Sequence, residues 1–198
     1  MSDLLHMLVD KDGFRPRGTE VTRIEAFSDV VFGFALTLLV VSLQVPKTYA
    51  ELHAMLLEFP AFAVCFWLLV MVWLAHYRFF RRFGLQDGMT IRINAALLFV
   101  VLFYVYPLKF LFTIALGRTP AGVFTDPMQL RDLMVLYGVG LAAVYGLLAL
   151  LNWQGWRQRE NLRLSRHEEI LTRYYIADAC SEAGVGLLSC VVACVLRP

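Results

Sequence analysis

The polar side chains set inside apolar stretches are the residues here with chemistry to offer. Between Arg23 and Pro46 the sequence reads RIEAFSDVVFGFALTLLVVSLQVP, and from Val30 to Val45 it carries no charge. Several of its polar groups, Ser28, Asp29, Thr37 and Ser42, lie inside the apolar run rather than at its ends. At helical spacing Val30, Phe34, Thr37 and Val41 share one face, while Asp29, Gly33, Leu36 and Val40 share the neighbouring one. Thr37 is then the one oxygen on an otherwise apolar stripe. Within one helix its hydroxyl has a local use, bonding the carbonyl one turn back. With several copies of the stripe around one axis, the same hydroxyls would form a ring between rings of Phe34 and Val41. Hydroxyl oxygens can replace part of a cation's hydration shell, and apolar constrictions gate by dewetting.

Ionisable groups elsewhere offer other chemistry. A charged side chain at a bilayer centre costs about 2.5–3.5 kcal/mol, so Asp29, Lys109, Asp178 and Glu182 need partners, water or a place near the membrane surface. Asp29 reads as a helix-packing anchor bonded to Ser, His, Asn or Trp on neighbouring helices, with direct ion binding as the competing reading. Trp73 and His76 end the second apolar run and Asn94 opens the third, which brings Asp29, His76 and Asn94 to one level. Asp178 and Glu182 lie one turn apart and project from one face. They either pair with Arg78, Arg81 or Arg173, or accept protons. His167-Glu168-Glu169 has metal-ligand residue types but reads as part of a solvated charged helix. Cys65, Cys180, Cys190 and Cys194 lie in apolar segments without a CxxC pair and read as small packing residues. No metal site and no cofactor are expected, beyond transient cations.

The elements that must position these groups are membrane helices. The chain has 198 residues, 59% hydrophobic and 17% charged, with mean hydropathy +0.63. That composition predicts an all-α, polytopic transmembrane bundle. A net charge of +2 gives no argument for nucleic acid. Without GxSxG, HExxH, P-loop or dinucleotide fingerprints, an enzyme is the least supported class. Residues 1–22 read as a cytoplasmic arm with an amphipathic piece at Leu4–Val9. Residues 23–198 read as one transmembrane domain with spans at about 23–45, 55–80, 91–116, 132–153 and 173–196. The first apolar run is too long for a signal-peptide core and is expected to be retained. Lys47–His53 reads as a short turn and Pro107 as a kink. Gly138, Ala142 and Gly146 form a small-xxx-small stripe for close helix approach. Leu162, Leu164, Ile170 and Leu171 suggest an interfacial or cytosolic helix in the charged link before the last span. Lys11, Arg15, Arg17 and Arg23, then Arg78, Arg81, Arg82 and Arg92, then Arg157, Arg159, Arg163, Arg166 and Arg173 fall on alternate links. Only Lys47, Arg118 and Arg131 face them, so the positive-inside rule places the N-terminus in the cytoplasm of a cell-membrane protein.

The RxxxFSD motif (Arg23, Phe27, Ser28, Asp29) followed by VVFGFALTLLVVSLQVP resembles the transmembrane protein 175 family of potassium-permeable channels. Trp73-x-x-His76, Asn94 and Arg173-Tyr174-Tyr175 extend the resemblance to about residues 20–176. It implies a homotetramer of six-helix subunits whose first helices line a central pore, with potassium ions and the lipid bilayer as partners. It implies pore-facing Phe34, Thr37 and Val41 with Leu38 beside them. It also implies that Arg23, Phe27, Ser28 and Asp29 pack this helix against Trp73, His76 and Asn94. The chain departs from the family in carrying Phe34 where Ile or Leu is usual, and in showing five spans rather than six, ending where a final helix would begin. The expected function is a leak-type potassium channel with a hydrophobic constriction. The alternatives are a proton-coupled transporter using Asp29, His76, Asp178 and Glu182 as a relay, or a non-conducting membrane scaffold.

Overall fold

The computed structural model describes residues 12–41, 45–115 and 127–195. These residues form five helices: α1 (Arg23–Val41), α2 (Tyr49–Phe83), α3 (Gly88–Ala115), α4 (Pro127–Arg157) and α5 (Arg166–Val195). Each is long and apolar enough to cross a membrane, so the chain is a multi-pass membrane protein. The expected amphipathic piece at Leu4–Val9, Ser42 at the end of the first span, and Arg118 in the loop after α3 lie outside the described residues.

Reciprocal capping starts three of the helices. Thr22 and Glu25 exchange hydrogen bonds at α1, with Thr22 N–H donating to Glu25 Oε2 at 2.8 Å and Glu25 N–H to Thr22 Oγ1 at 3.3 Å. Ser165 and Glu168 do the same at α5. At α2, Glu51 N–H donates to Thr48 while the Glu51 carboxylate accepts from Lys47 N–H. Each pair is Ser/Thr-x-x-Glu, which satisfies backbone donors that the helix itself cannot. The box at Thr48 corrects the expected turn over Lys47–His53, because α2 is already helical from Tyr49. Hydropathy locates the lipid-facing part of a helix, whereas capping locates its start. The 35 residues of α2 span about 52 Å, and within them Phe59–Phe83 is long and apolar enough to cross a membrane. α3 runs through Pro107 to Ala115 without interruption. The separate helix expected in the charged link is absent: residues 158–163 form turns, and Arg166 onward belongs to α5.

α1 packs on α2 and α3, these two pack on each other and on α4, and α5 runs along α4, with Tyr175 reaching Arg82 of α2. The core joins Phe32, Ala35 and Leu39 of α1 to Cys65 and Leu69 of α2, Leu97 and Val101 of α3 and Leu148 of α4. The α4–α5 seam depends on missing side chains: a Cβ on Gly186 would lie 2.6 Å from the Gly138 carbonyl oxygen and 2.9 Å from Ala142 N. Gly146, the third member of the expected stripe, faces nothing within 4 Å, so only Gly138 and Ala142 serve this approach. Cys65 is buried, but Cys180 and Cys194 are exposed, which corrects the packing role expected for them.

Candidate functional site

α1 has two unlike edges. Ser28, Phe32, Ala35 and Leu39 are buried, and their spacing makes one continuous stripe, the one covered by α2 and α3. Phe34 is 62% exposed and Val41 69%. Thr37 is also exposed, and Leu38 is half-buried at the boundary. The Phe34/Thr37/Val41 stripe therefore faces away from the interior of its own subunit. Thr37 Oγ1 donates to the Gly33 carbonyl at 2.8 Å. The hydroxyl proton is thus committed to the helix, which leaves oxygen lone pairs on the open side.

A polar layer fixes the covered edge. Asn94 Nδ2 donates to Ser28 Oγ at 2.9 Å, and Ser28 Oγ donates to the Ile24 carbonyl at 2.7 Å. His76 Nε2 lies 2.8 Å from Asn94 Oδ1. Because the Asn94 amide nitrogen already serves Ser28, its oxygen is the acceptor, so His76 carries a proton on Nε2. His76 Nδ1 is buried with no hydrogen-bond partner among the described residues. The imidazole sits between Phe32 and Phe80, with ring centroids 5.4 Å and 4.7 Å away. Beside this chain, Trp73 Nε1 donates to Asp29 Oδ1 at 2.8 Å. The layer thus brings together Ser28, Asp29, Trp73, His76 and Asn94 from three helices. Arg23 and Phe27 are exposed and stand apart from it.

Two other expectations are corrected. Asp178 and Glu182 are exposed on α5, and among the described residues neither forms the expected ion pair with Arg78, Arg81 or Arg173. Arg81 is engaged elsewhere, donating to the Gly18 and Thr19 carbonyls at 2.7 and 3.4 Å. Glu168 is not solvated. It is 1% exposed and paired with Arg15 and Arg17 of the N-terminal arm. Sequence reading also missed Asp87, which caps α3 through Thr90 and accepts from Gln154 of α4 and from Gln158 in the turn just after it, each at 3.0 Å. Burial alone would raise the Asp87 carboxyl. The bonds from Thr90, Met89 and Gln158 outweigh it and hold the group below its ordinary value.

Comparison with known proteins adds an independent line. The family model described as the endosomal/lysosomal potassium channel TMEM175 matches residues 23–104, a stretch containing the exposed stripe and the whole polar layer. A potassium channel of Marivirga tractuosa is 39% identical over 191 residues, covering 90% of this chain and 77% of that one. A potassium channel of Chamaesiphon minutus is 35% identical over 100 residues, 46% of this chain and 49% of that one. The crystal structure of the potassium channel MtTMEM175, an alanine variant held by a nanobody–MBP fusion, superposes with a TM-score of 0.86 at 35% identity, covering 94% of this chain and 85% of that one. A lysosomal potassium-selective TMEM175 homologue from Chamaesiphon minutus shares the fold, with a TM-score of 0.55 at 24% identity over 87% of this chain and 93% of that one. Sequence and fold agree over most of the chain, which belongs to the TMEM175 family alongside its prokaryotic potassium-channel members.

Proposed function

We propose that this protein is a leak-type potassium channel of the cell membrane. It works as a homotetramer in which α1 of each subunit lines a shared axis, with the N-terminal arm in the cytoplasm. The observation that carries this reading is the division of α1. One edge is consumed by packing, while Phe34, Thr37 and Val41 lie open on the other. The names of the relatives supply the ion.

In this reading the Phe34 and Val41 rings form apolar constrictions that exclude water when narrow. The Thr37 hydroxyls between them present lone pairs to the axis and replace part of the potassium hydration shell. Leu38 lies beside this edge and shapes it. The layer from Ser28 to Asn94 anchors each α1 to α2 and α3, so opening requires displacement of α1 or a rotamer change at Phe34. The test is potassium and sodium flux through purified protein in proteoliposomes, coupled to its oligomer mass. The expected result is a tetramer that dissipates a potassium gradient. Phe34→Ala should raise flux roughly tenfold, equivalent to about 1.4 kcal/mol of barrier, and Thr37→Val should change the potassium/sodium preference. Saturable flux that follows a proton gradient and ignores both substitutions would favour a transporter and contradict this reading.

A further inference from the structure

The described part of the N-terminal arm is docked, and the docking converges on one buried carboxylate. Glu168 Oε1 accepts from Arg15 N–H at 3.0 Å and Arg17 Nη1 at 3.1 Å. Glu168 Oε2 accepts from Arg17 Nη2 at 3.0 Å and Arg15 Nη2 at 3.3 Å. The same Oε2 takes Ser165 N–H at 2.8 Å. Arg17 also donates from Nε to the Leu162 carbonyl at 3.0 Å. A carboxylate this buried is stable only while such partners stay in place.

Further contacts hold the arm along its length. Phe14 is 1% exposed, its ring edge-on to Phe83 at 5.5 Å. Asp12 accepts from Arg82 Nη2 at 2.7 Å and from the Tyr175 hydroxyl at 2.9 Å. Arg17 and Gly18 both donate N–H to the Arg81 carbonyl at 3.1 Å, and a Cβ on Gly18 would come within 2.6 Å of the Phe80 carbonyl oxygen. From there the chain reaches the Thr22–Glu25 box and enters α1 at Arg23. α1 makes no helix-to-helix packing with α4 or α5. The arm is therefore a direct tie from the start of α5 to the start of α1.

We infer that Glu168 is a positioning residue for conduction: by clamping Arg15 and Arg17 it fixes the arm, and through the arm it sets where α1 stands. This rests on the proposal that α1 lines the pore. Loss of the clamp should change how often the constriction is open, without altering the open pore, since neither Glu168 nor Arg17 lies on the Phe34/Thr37 edge.

The experiment compares wild type with Glu168→Gln and Arg17→Gln in the full-length assembled protein. Hydrogen exchange at the Arg15, Arg17, Gly18 and Thr19 amides reads docking, and recordings in planar bilayers read open probability and unitary conductance separately. Both substitutions should speed exchange in the arm at least tenfold and shift open probability at least threefold in the same direction. Unitary conductance and the potassium/sodium preference should stay at wild-type values. Glu168→Asp should recover part of both changes, since it keeps the charge. If Glu168→Gln does not assemble, Arg17→Gln carries the test, as its side chain lies partly at the surface. Faster arm exchange with unchanged open probability would overturn the coupling. Unchanged arm exchange would overturn the clamp. A wild type that assembles but passes no potassium would sink the channel reading, and this inference with it.

Discussion

At the scale of residues, the polar layer is a chain of directed hydrogen bonds with Asn94 at its centre. Asn94→Ala would strand the His76 Nε2–H and remove the bond that Ser28 Oγ accepts, while the Ser28 hydroxyl keeps the Ile24 carbonyl, and a buried group left unpaired costs about 1–3 kcal/mol. Trp73→Phe removes a single bond to exposed Asp29, and interhelical bonds in membranes average about 0.6 kcal/mol. Unfolding in detergent should therefore show Asn94→Ala as clearly more damaging than Trp73→Phe, and the reverse order would refute this division of roles. Much of this layer is legible in the sequence, because His76 and Asn94 lie on consecutive helices whose ends must meet. Glu168 was not legible. Its partners Arg15 and Arg17 lie some 150 positions away, and a charge-rich link read alone looks solvated. The capping pattern Ser165-x-x-Glu168 was the available signal, since it marks a helix start and engages that carboxylate.

At the scale of elements, close approach and capping decide which helices hold together. Gly186→Ala puts a methyl against the backbone of Gly138, and such overpacking costs about 1–3 kcal/mol. Gly146→Ala meets nothing within 4 Å and should be neutral or stabilising by up to about 1 kcal/mol through helix propensity. Thermal unfolding of the two variants should move in opposite directions or leave Gly146→Ala unmoved, and equal losses would contradict the seam as described. The sequence shows small residues at regular spacing but not which of them meet another helix, so Gly146 looked equivalent to Gly138. Asp87 makes a pH-dependent tie between α3 and α4. Its carboxyl is depressed from 3.8 in the folded chain, so the stability it adds is complete above that value and is lost as pH falls through the folded one. The stability gap between wild type and Asp87→Asn should accordingly be constant near neutrality and shrink in acid below 3.8. A gap that widens in acid would show that the carboxylate is not favoured by its partners.

At the scale of the whole molecule, α1, α2 and α3 pack on one another, α4 packs on α2 and α3, and α5 packs along α4. Charge patterning and hydropathy made this legible as a membrane bundle. The tie between arm and α5 was not, because it depends on which distant charges meet once the helices are stacked. The stripe of α1 stays unpacked within the subunit, with Phe34 62% exposed, and the account gives it a common axis among copies. The most direct test is chemical modification at Thr37→Cys, in a background with Cys65, Cys180, Cys190 and Cys194 replaced, with Leu39→Cys on the buried edge for comparison. A water-soluble thiol reagent should cut potassium flux roughly tenfold or more through Thr37→Cys and leave Leu39→Cys conducting. Flux through Thr37→Cys that is unaffected by the reagent, or equal sensitivity at Leu39, would contradict the claim that this edge of α1 lines the ion path.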